Sequence, residues 1–374
     1  MASSGADERT RSRRDWANLD AGPAGLVAEH ALRNDVVDFV RFGAACKAWR
    51  ACSTHLRAHG VLDRRFYPRH WIMLPEAFNE VHNQRRFLNI LTGASIYRSL
   101  PVPPSPWHKY VLATTSEGLV LVLATHASLL LNPLTGQVAG LPTMLGTMAA
   151  YGHLWDVKVR GAGLDNDSTV VLHIHCYSLV VAKPGDKHWT HIYSRDRITS
   201  VLPFTGHVYC ATSRNISLVQ TRTTGNQPPK LVVAAGHELH KVFGSVDAFN
   251  EELYEGLSRM FLVENNGELI LCLRARPESR TDEEYIVNVH RVDLNAKNTV
   301  PLHGLNGKAL FLGKSSVLVS VRVSPSINAE TAYLCRPRHK GARRVYAVDL
   351  LDGGCAETKF EKDDVAYYLS CYVS

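Results

Sequence analysis

With 374 residues, 45% hydrophobic and 21% charged, the chain is long enough for a large β-rich body plus a small second unit, and its composition excludes a disordered or fibrous protein. The net charge of +7 is thinly spread: residues 1–75 hold 12 basic and 8 acidic side chains, and the other 299 hold 30 and 27, which argues against a long groove tracking a phosphate backbone. Eight cysteines with no CxxC pair fit neither a zinc site nor a disulfide framework, and no stretch approaches the roughly 18 apolar residues of a membrane span.

Residues 1–14, with Arg9, Arg11, Arg13 and Arg14, read as a disordered basic arm, with a nuclear address as the lesser reading. Residues 15–60 read as helices. In AGLVAEHAL, Leu26, Val27 and Ala31 fall near one face at helical spacing, after an entry turn at Gly22 and Pro23. Asn34 and Asp35 make a break and a cap. In the next helix Val36, Val40, Gly43 and Ala44 share a stripe flanked by Val37, and Ala45, Cys46 and Trp49 continue the apolar surface into a third helix expected to run past Leu56. A unit of this size buries little core and tends to need a partner.

Residues 61–106 read as a linker with the first elements of the next domain, ending in the proline-rich PVPPSP at 101–106, and residues 107–374 as one all-β domain. From GLVLVLA at 118–124 to VLVSVRV at 317–323 and RVYAVDL at 344–350, short β-branched or leucine-rich runs follow one another with almost no helical period between them. A strand ending in a turn recurs around Asn132, Pro184, Gly236, Asp293 and Asp349. These steps of about 52 to 57 residues match the ~50-residue period of kelch-like propeller blades. The expected fold is mainly β: a small three-helix unit followed by a β-propeller of about six four-stranded blades.

The run from Trp16 to Ser53 resembles the F-box of land-plant proteins, above all the grass type, at Trp16, Leu19, Gly22 to Leu26, Asp35, Phe42, Cys46, Lys47, Trp49 and Arg50. The remainder resembles the F-box-associated propeller that commonly follows it, through LLLNPLTG, KHWTHI, KALFLGKSSVLVSV and VYAVDL. The resemblance implies a non-catalytic substrate receptor of a Skp/cullin/F-box ubiquitin ligase in the nucleus and/or cytoplasm. The F-box would dock on a Skp-type adaptor, and through it on a cullin, while the propeller holds a target protein. Leu19, Leu26, Val27, Val36, Cys46 and Trp49 are the residues expected to dock or to fill the helical core. Where the family has proline after the first leucine, this chain has Asp20, which leaves a degenerate F-box without a ligase role as the alternative. No cofactor, metal, nucleic acid or membrane is expected as a partner, and the target itself is left open.

Other chemistry reads weakly. LNGKALFLGKSS, with Gly313, Lys314 and Ser315, has the wrong glycine spacing for a phosphate loop and is followed by a strand. His173, His175, Cys176, His188 and His191 lack a recognised metal spacing, and the adjacent pairs Glu283/Glu284 and Asp363/Asp364 read as solvated loop acids. A propeller glycosidase or glycan binder is therefore the least favoured reading. Trp107, Trp155 and Trp189 read as blade packing before recognition anchors.

Overall fold

The computed structural model describes residues 16, 19–53, 59–74, 84–100, 110–124, 128–144, 147, 159–221, 227–237, 258–275, 285–313, 315–337, 343–362 and 364–373. The basic arm, the proline-rich segment, Trp107, Trp155, Glu283, Glu284 and Asp363 lie outside these residues. The chain divides into two compact units: residues 1–59 with 63–66, and residues 60–62 with 67–374.

The second unit is a six-bladed β-propeller. Its first blade is β1 (Trp71–Met73), β2 (Gln84–Asn89) and β3 (Ser95–Ser99). The second holds β4 (Tyr110–Thr114), β5 (Val120–Ala124), β6 (Ser128–Leu131) and β7 (Val138–Leu141), and the third β8 (Gly161–Leu164), β9 (Val170–His175), β10 (Ser178–Ala182) and β11 (Thr190–Tyr193). The fourth holds β12 (Ile198–Phe204), β13 (His207–Thr212), β14 (Asn215–Gln220) and β15 (Lys230–Gly236), and the fifth β16 (Ser258–Asn265), β17 (Glu268–Ala275), β18 (Ile286–Asp293) and β19 (Asn298–Leu302). The sixth orders β21 (Val317–Ser320), β20 (Lys308–Leu312), β22 (Thr331–Pro337), β23 (Arg343–Asp349) and β24 (Cys355–Thr358), with β20 and β22 parallel. The second to fifth blades have the expected four strands, and among the described residues the first has three and the sixth five.

Strands of the middle layers are apolar on both faces because each blade is covered on both sides, so β9 and β10 read VVLHIH and SLVVA without alternation. Among the described residues five of the seams have separate cores. Leu121 and Leu123 meet Leu172 and Val180 between the second and third blades, and Val171 and Leu179 meet Val208 and Cys210 between the third and fourth. Tyr209 and Ala211 meet Leu269 and Leu271 at the next seam, and Cys272 and Val289 meet Leu310 and Leu334 at the one after. The ring closes where Ile72, Leu74 and Leu88 of the first blade pack with Phe311, Val319 and Tyr333 of the sixth.

A helix absent from the sequence expectations, α4 (Val365–Val373), completes that last seam through Ala366, Leu369 and Val373. Tyr368 lies under the Arg86 guanidinium, 4.4 Å from ring centroid to Cζ. Gly313 is glycine for this reason: a Cβ there would run into the Val373 carbonyl. The segment after it enters β21 and not a helix.

The recurring turns have one chemistry. The Asn132 Oδ1 accepts from the backbone N–H of Leu134 and Thr135 at 3.0 and 3.2 Å, and the Gly136 N–H donates back to the Asn132 carbonyl at 2.9 Å. Asp293 and Asp349 do the same toward Asn295 and Ala296, and toward Leu351 and Asp352. Asn89 repeats it in the first blade toward Leu91 and Thr92. Each is an Asx turn whose fifth residue, Gly93, Gly136, Lys297 or Gly353, has positive φ. Pro184 also sits in the turn before its blade's last strand, but there Lys183 N–H donates to Asp186. Gly236 is corrected: it ends β15 and is not in a turn between two strands of its blade. VLVSVRV is a strand only to Ser320, after which Val321–Val323 form a 3-10 turn.

Candidate docking surface of the helical unit

The first unit is built from α1 (Ala21–Asn34), α2 (Val36–Ala45), α3 (Lys47–Cys52) and a 3-10 turn at Arg64–Phe66. Asp35 separates α1 from α2 by serving both. Its N–H donates to Ala31 O at 2.9 Å, closing α1, and its Oδ1 accepts from Val37 N at 2.7 Å, capping α2. Cys46 then breaks the chain again and caps α3, its Sγ accepting from Trp49 N at 3.4 Å. The third helix ends at Cys52 and not beyond Leu56; residues 54–58 lie outside the described ones.

The interior of the unit is Ala24, Ala28, Val36, Val37, Phe39, Phe42 and Phe66, all buried. Phe39 meets Phe66 with centroids 5.9 Å apart, and Phe42 stacks on Trp49 at 4.7 Å. One stripe read from periodicity is corrected here. On α2 the buried positions are Val36, Val37, Phe39 and Phe42, whereas Ala44 is exposed, because the phenylalanines and not the small residues span the distance to the neighbouring elements. On α1 the inward positions are Ala24 and Ala28, whose size lets α1 lie close to its neighbours.

The consequence is that α1 carries two of its three larger aliphatic side chains, Leu26 and Val27, outward, while Leu32 is half-buried. Leu26 is 69% exposed and Val27 48%, and Trp16, close before α1, is 56% exposed. Of the six expected docking residues, Leu26 and Val27 are therefore on the surface and Leu19 is half-buried. Val36 belongs to the interior. Cys46 and Trp49 are half-buried scaffold: one caps α3, and the other stacks on Phe42 while its Nε1 donates to Trp16 O at 2.9 Å. Sequence reasoning did not single out Phe39 or Phe66 for the core, or Trp16 for the surface. Asp20 is exposed at the N-cap of α1, with φ −55° and no side-chain cap bond.

Elsewhere, among the described residues, no group of three or more His, Cys, Asp or Glu is placed to hold a metal. His173 is fully buried in the third blade, and neither ring nitrogen has a hydrogen-bond partner among the described residues. Burial, with Arg160 and Arg259 adding to it, pushes its pKa down to about 3, so the ring is neutral. Burial alone would raise the Asp167 carboxyl, but hydrogen bonds from Thr169 and Lys183 hold it below its ordinary value. Cys210, buried in the fourth blade, has its thiol pushed up to about 12 by burial and behaves as a small hydrophobe. Trp189 is buried with its Nε1 donating to Pro142 O at 3.0 Å, which makes it blade packing. No helix among the described residues is long and apolar enough to cross a membrane.

The model of the KIB1-4 beta-propeller family matches residues 69–368, from just before β1 into α4. The chain belongs to this family. As a KIB1-4 propeller it has the Asx turns, all six blades and the start of the closing helix within the matched span, while α1, α2 and α3 lie outside it. No curated protein matches the chain. Among solved structures it is similar to the N-terminal domain of Nup159, with 11% identity, 73% of this chain and 85% of that one covered, and a TM-score of 0.33. It is similar to YCF48 from Cyanidioschyzon merolae with 9% identity, 73% and 81% covered, and a TM-score of 0.36. The Cps50 (Swd1) propeller of Myceliophteria thermophila gives 11% identity, 78% and 87% covered, and 0.36. None of these likenesses bears on what the KIB1-4 propeller binds.

Proposed function

We propose that the protein is the substrate-recognition subunit of a Skp/cullin/F-box ubiquitin ligase, with the helical unit docking on a Skp-type adaptor and the KIB1-4 propeller holding a target protein. The observation that carries the reading is the inverted α1, with Ala24 and Ala28 inside and Leu26 and Val27 in solvent. Burying those two side chains against a partner is worth on the order of 3 kcal/mol, which the isolated unit leaves unused. No catalytic group is needed. Tethering a target beside a ubiquitin-loaded enzyme raises the effective concentration of its lysines.

Asp20 favours a second reading, a propeller interaction module whose F-box no longer docks. Its φ of −55° suits proline, so Asp20→Pro restores the family residue without backbone strain. Co-elution of the purified chain with a Skp-type adaptor, lost in Leu26→Asp, supports the ligase reading. Co-elution gained only in Asp20→Pro supports the second.

A further inference from the structure

Three short loops meet where the third blade joins the fourth: the β9–β10 turn at Cys176 and Tyr177, the β11–β12 connection at 194–197, and the β13–β14 turn at Ser213 and Arg214. Backbone hydrogen bonds lock them together. Ser194 N–H donates to Tyr177 O at 2.8 Å, Ile198 N–H to Cys176 O at 2.6 Å and Ser213 N–H to Arg197 O at 3.0 Å. Inside the connection the Ser194 hydroxyl donates to Asp196 O at 2.7 Å and accepts from Asp196 N–H at 3.2 Å, which closes a tight turn.

The side chains on this frame are unbalanced in charge. The loops hold Arg195, Arg197 and Arg214 against one acid, Asp196. Arg195 and Arg214 are exposed and Arg197 is half-buried. Asp196 pairs with Arg214, Oδ1 to Nε at 3.4 Å, but the Arg214 side chain is 74% exposed, so the pair is weak and open to exchange. Neither Arg195 nor Arg197 has a carboxylate within ion-pair distance among the described residues. Just before the connection Tyr193, 71% exposed at the end of β11, lies nearly parallel to the His191 ring, centroids 5.8 Å apart.

We infer that this loop cluster is a docking site for a phosphorylated polypeptide segment, whose phosphoryl group takes Arg214 over from Asp196 and engages the neighbouring arginines. Three cations against one anion leave an excess that a single carboxylate does not match. A phosphoryl group brings about −1.5 to −2 at neutral pH and three acceptor oxygens. Planar guanidiniums donate to such oxygens in pairs. Because hydrogen bonds already hold the loops, little backbone entropy is lost on binding. The Tyr193 ring gives a flanking apolar side chain of the segment a surface to lie on. Three short loops suit one phosphoryl group better than a nucleic acid, which needs a continuous basic track along many phosphates. This role rests on the propeller being the target-binding part of the proposed receptor, and not on adaptor docking.

The test uses the full chain and fluorescein-labelled peptide libraries of about 12 residues, followed by fluorescence anisotropy at low and moderate salt. Each library has degenerate flanks around a fixed central phosphoserine or phosphotyrosine, the unphosphorylated counterpart, or glutamate. A phosphorylated library is expected to bind saturably and about tenfold tighter than its counterpart and than the glutamate library. The double variant Arg195→Glu, Arg214→Glu should lose that margin with its melting temperature unchanged, because both side chains are exposed, and Lys187→Glu in the β10–β11 turn should bind as before. Asp196→Asn should bind about threefold tighter, since it frees Arg214 and removes a repelling charge. Leu26→Asp should also keep the phosphopeptides, so a chain that binds adaptor but no phosphopeptide sinks this proposal alone. Equal affinity for all the libraries, a double variant that binds as well as the unsubstituted chain, weaker binding by Asp196→Asn, or tighter binding of a single-stranded oligonucleotide of about 12 nucleotides would overturn it.

Discussion

The indole of Trp49 lies almost parallel to the ring of Phe42, centroids 4.7 Å apart and planes 14° from each other. This stack joins α3 to α2, and the Trp49 Nε1 hydrogen bond to Trp16 O ties down the chain ahead of α1. Trp49→Ala should therefore act on folding before it acts on any partner, destabilising the helical unit by about 2 kcal/mol. Leu26→Asp should leave its helicity unchanged. Thermal melts followed by circular dichroism on both variants separate the two roles; equal losses would mean that Leu26 is core as well.

The four Asx turns make a second set of expectations. Asn132 is fully buried, so Asn132→Ala leaves two inward N–H groups without their acceptor and should cost about 2 kcal/mol. At the half-buried Asp293 and Asp349 the same change should cost about 1 kcal/mol, and Asp349→Asn should be nearly neutral because its Oδ1 can still accept both bonds. Urea unfolding of the three alanine variants checks the order.

His173 sets a pH dependence whose sign is fixed. Its folded pKa, about 3, lies below the unfolded value near 6.5, so between these limits the unfolded chain binds the extra proton. The stability is complete above pH 6.5 and drains away as pH falls toward 3, reaching a loss of about 2 kcal/mol at pH 5. His173→Leu should flatten this slope between pH 7 and about 4.5, above the range where Asp167 loses its charge. Parallel slopes for both chains would contradict the assignment.

Closure of the ring at the last seam is expected to depend on Gly313. Gly313→Ala pushes a methyl group into the Val373 carbonyl and should destabilise the propeller by about 2 kcal/mol through displacement of α4. Hydrogen exchange should show the loss of protection first in β20 and α4. If protection falls evenly over all six blades, the helix is not a separate clasp.

Much of this architecture was legible from one regularity, the apolar strand followed by an Asn, Asp or Gly turn, because every blade must reverse its chain at the same place. What escaped has physical reasons. β2 and β3 read QRRFLN and SIYRS, whose arginines hide a strand from any search for apolar runs. The NILTG turn that marks them as a blade was visible, and matches NPLTG around Asn132. α4 reads VAYYLSCYV, short and apolar on most sides because it is packed between two blades, so its helical period is weak. On α1 the spacing marked Leu26, Val27 and Ala31 as one apolar face but left open whether it docks or fills the core, because periodicity does not show which face a neighbour covers; Ala24 and Ala28 take the inner side and leave Leu26 and Val27 exposed.

The measurement that bears most directly on the receptor reading is titration calorimetry of the full chain against a Skp-type adaptor, repeated with the double variant Leu26→Asp, Val27→Asp. One-to-one binding is expected, lost in the double variant while its melting temperature stays unchanged. An adaptor that binds neither chain, or binds both with equal affinity, would contradict it.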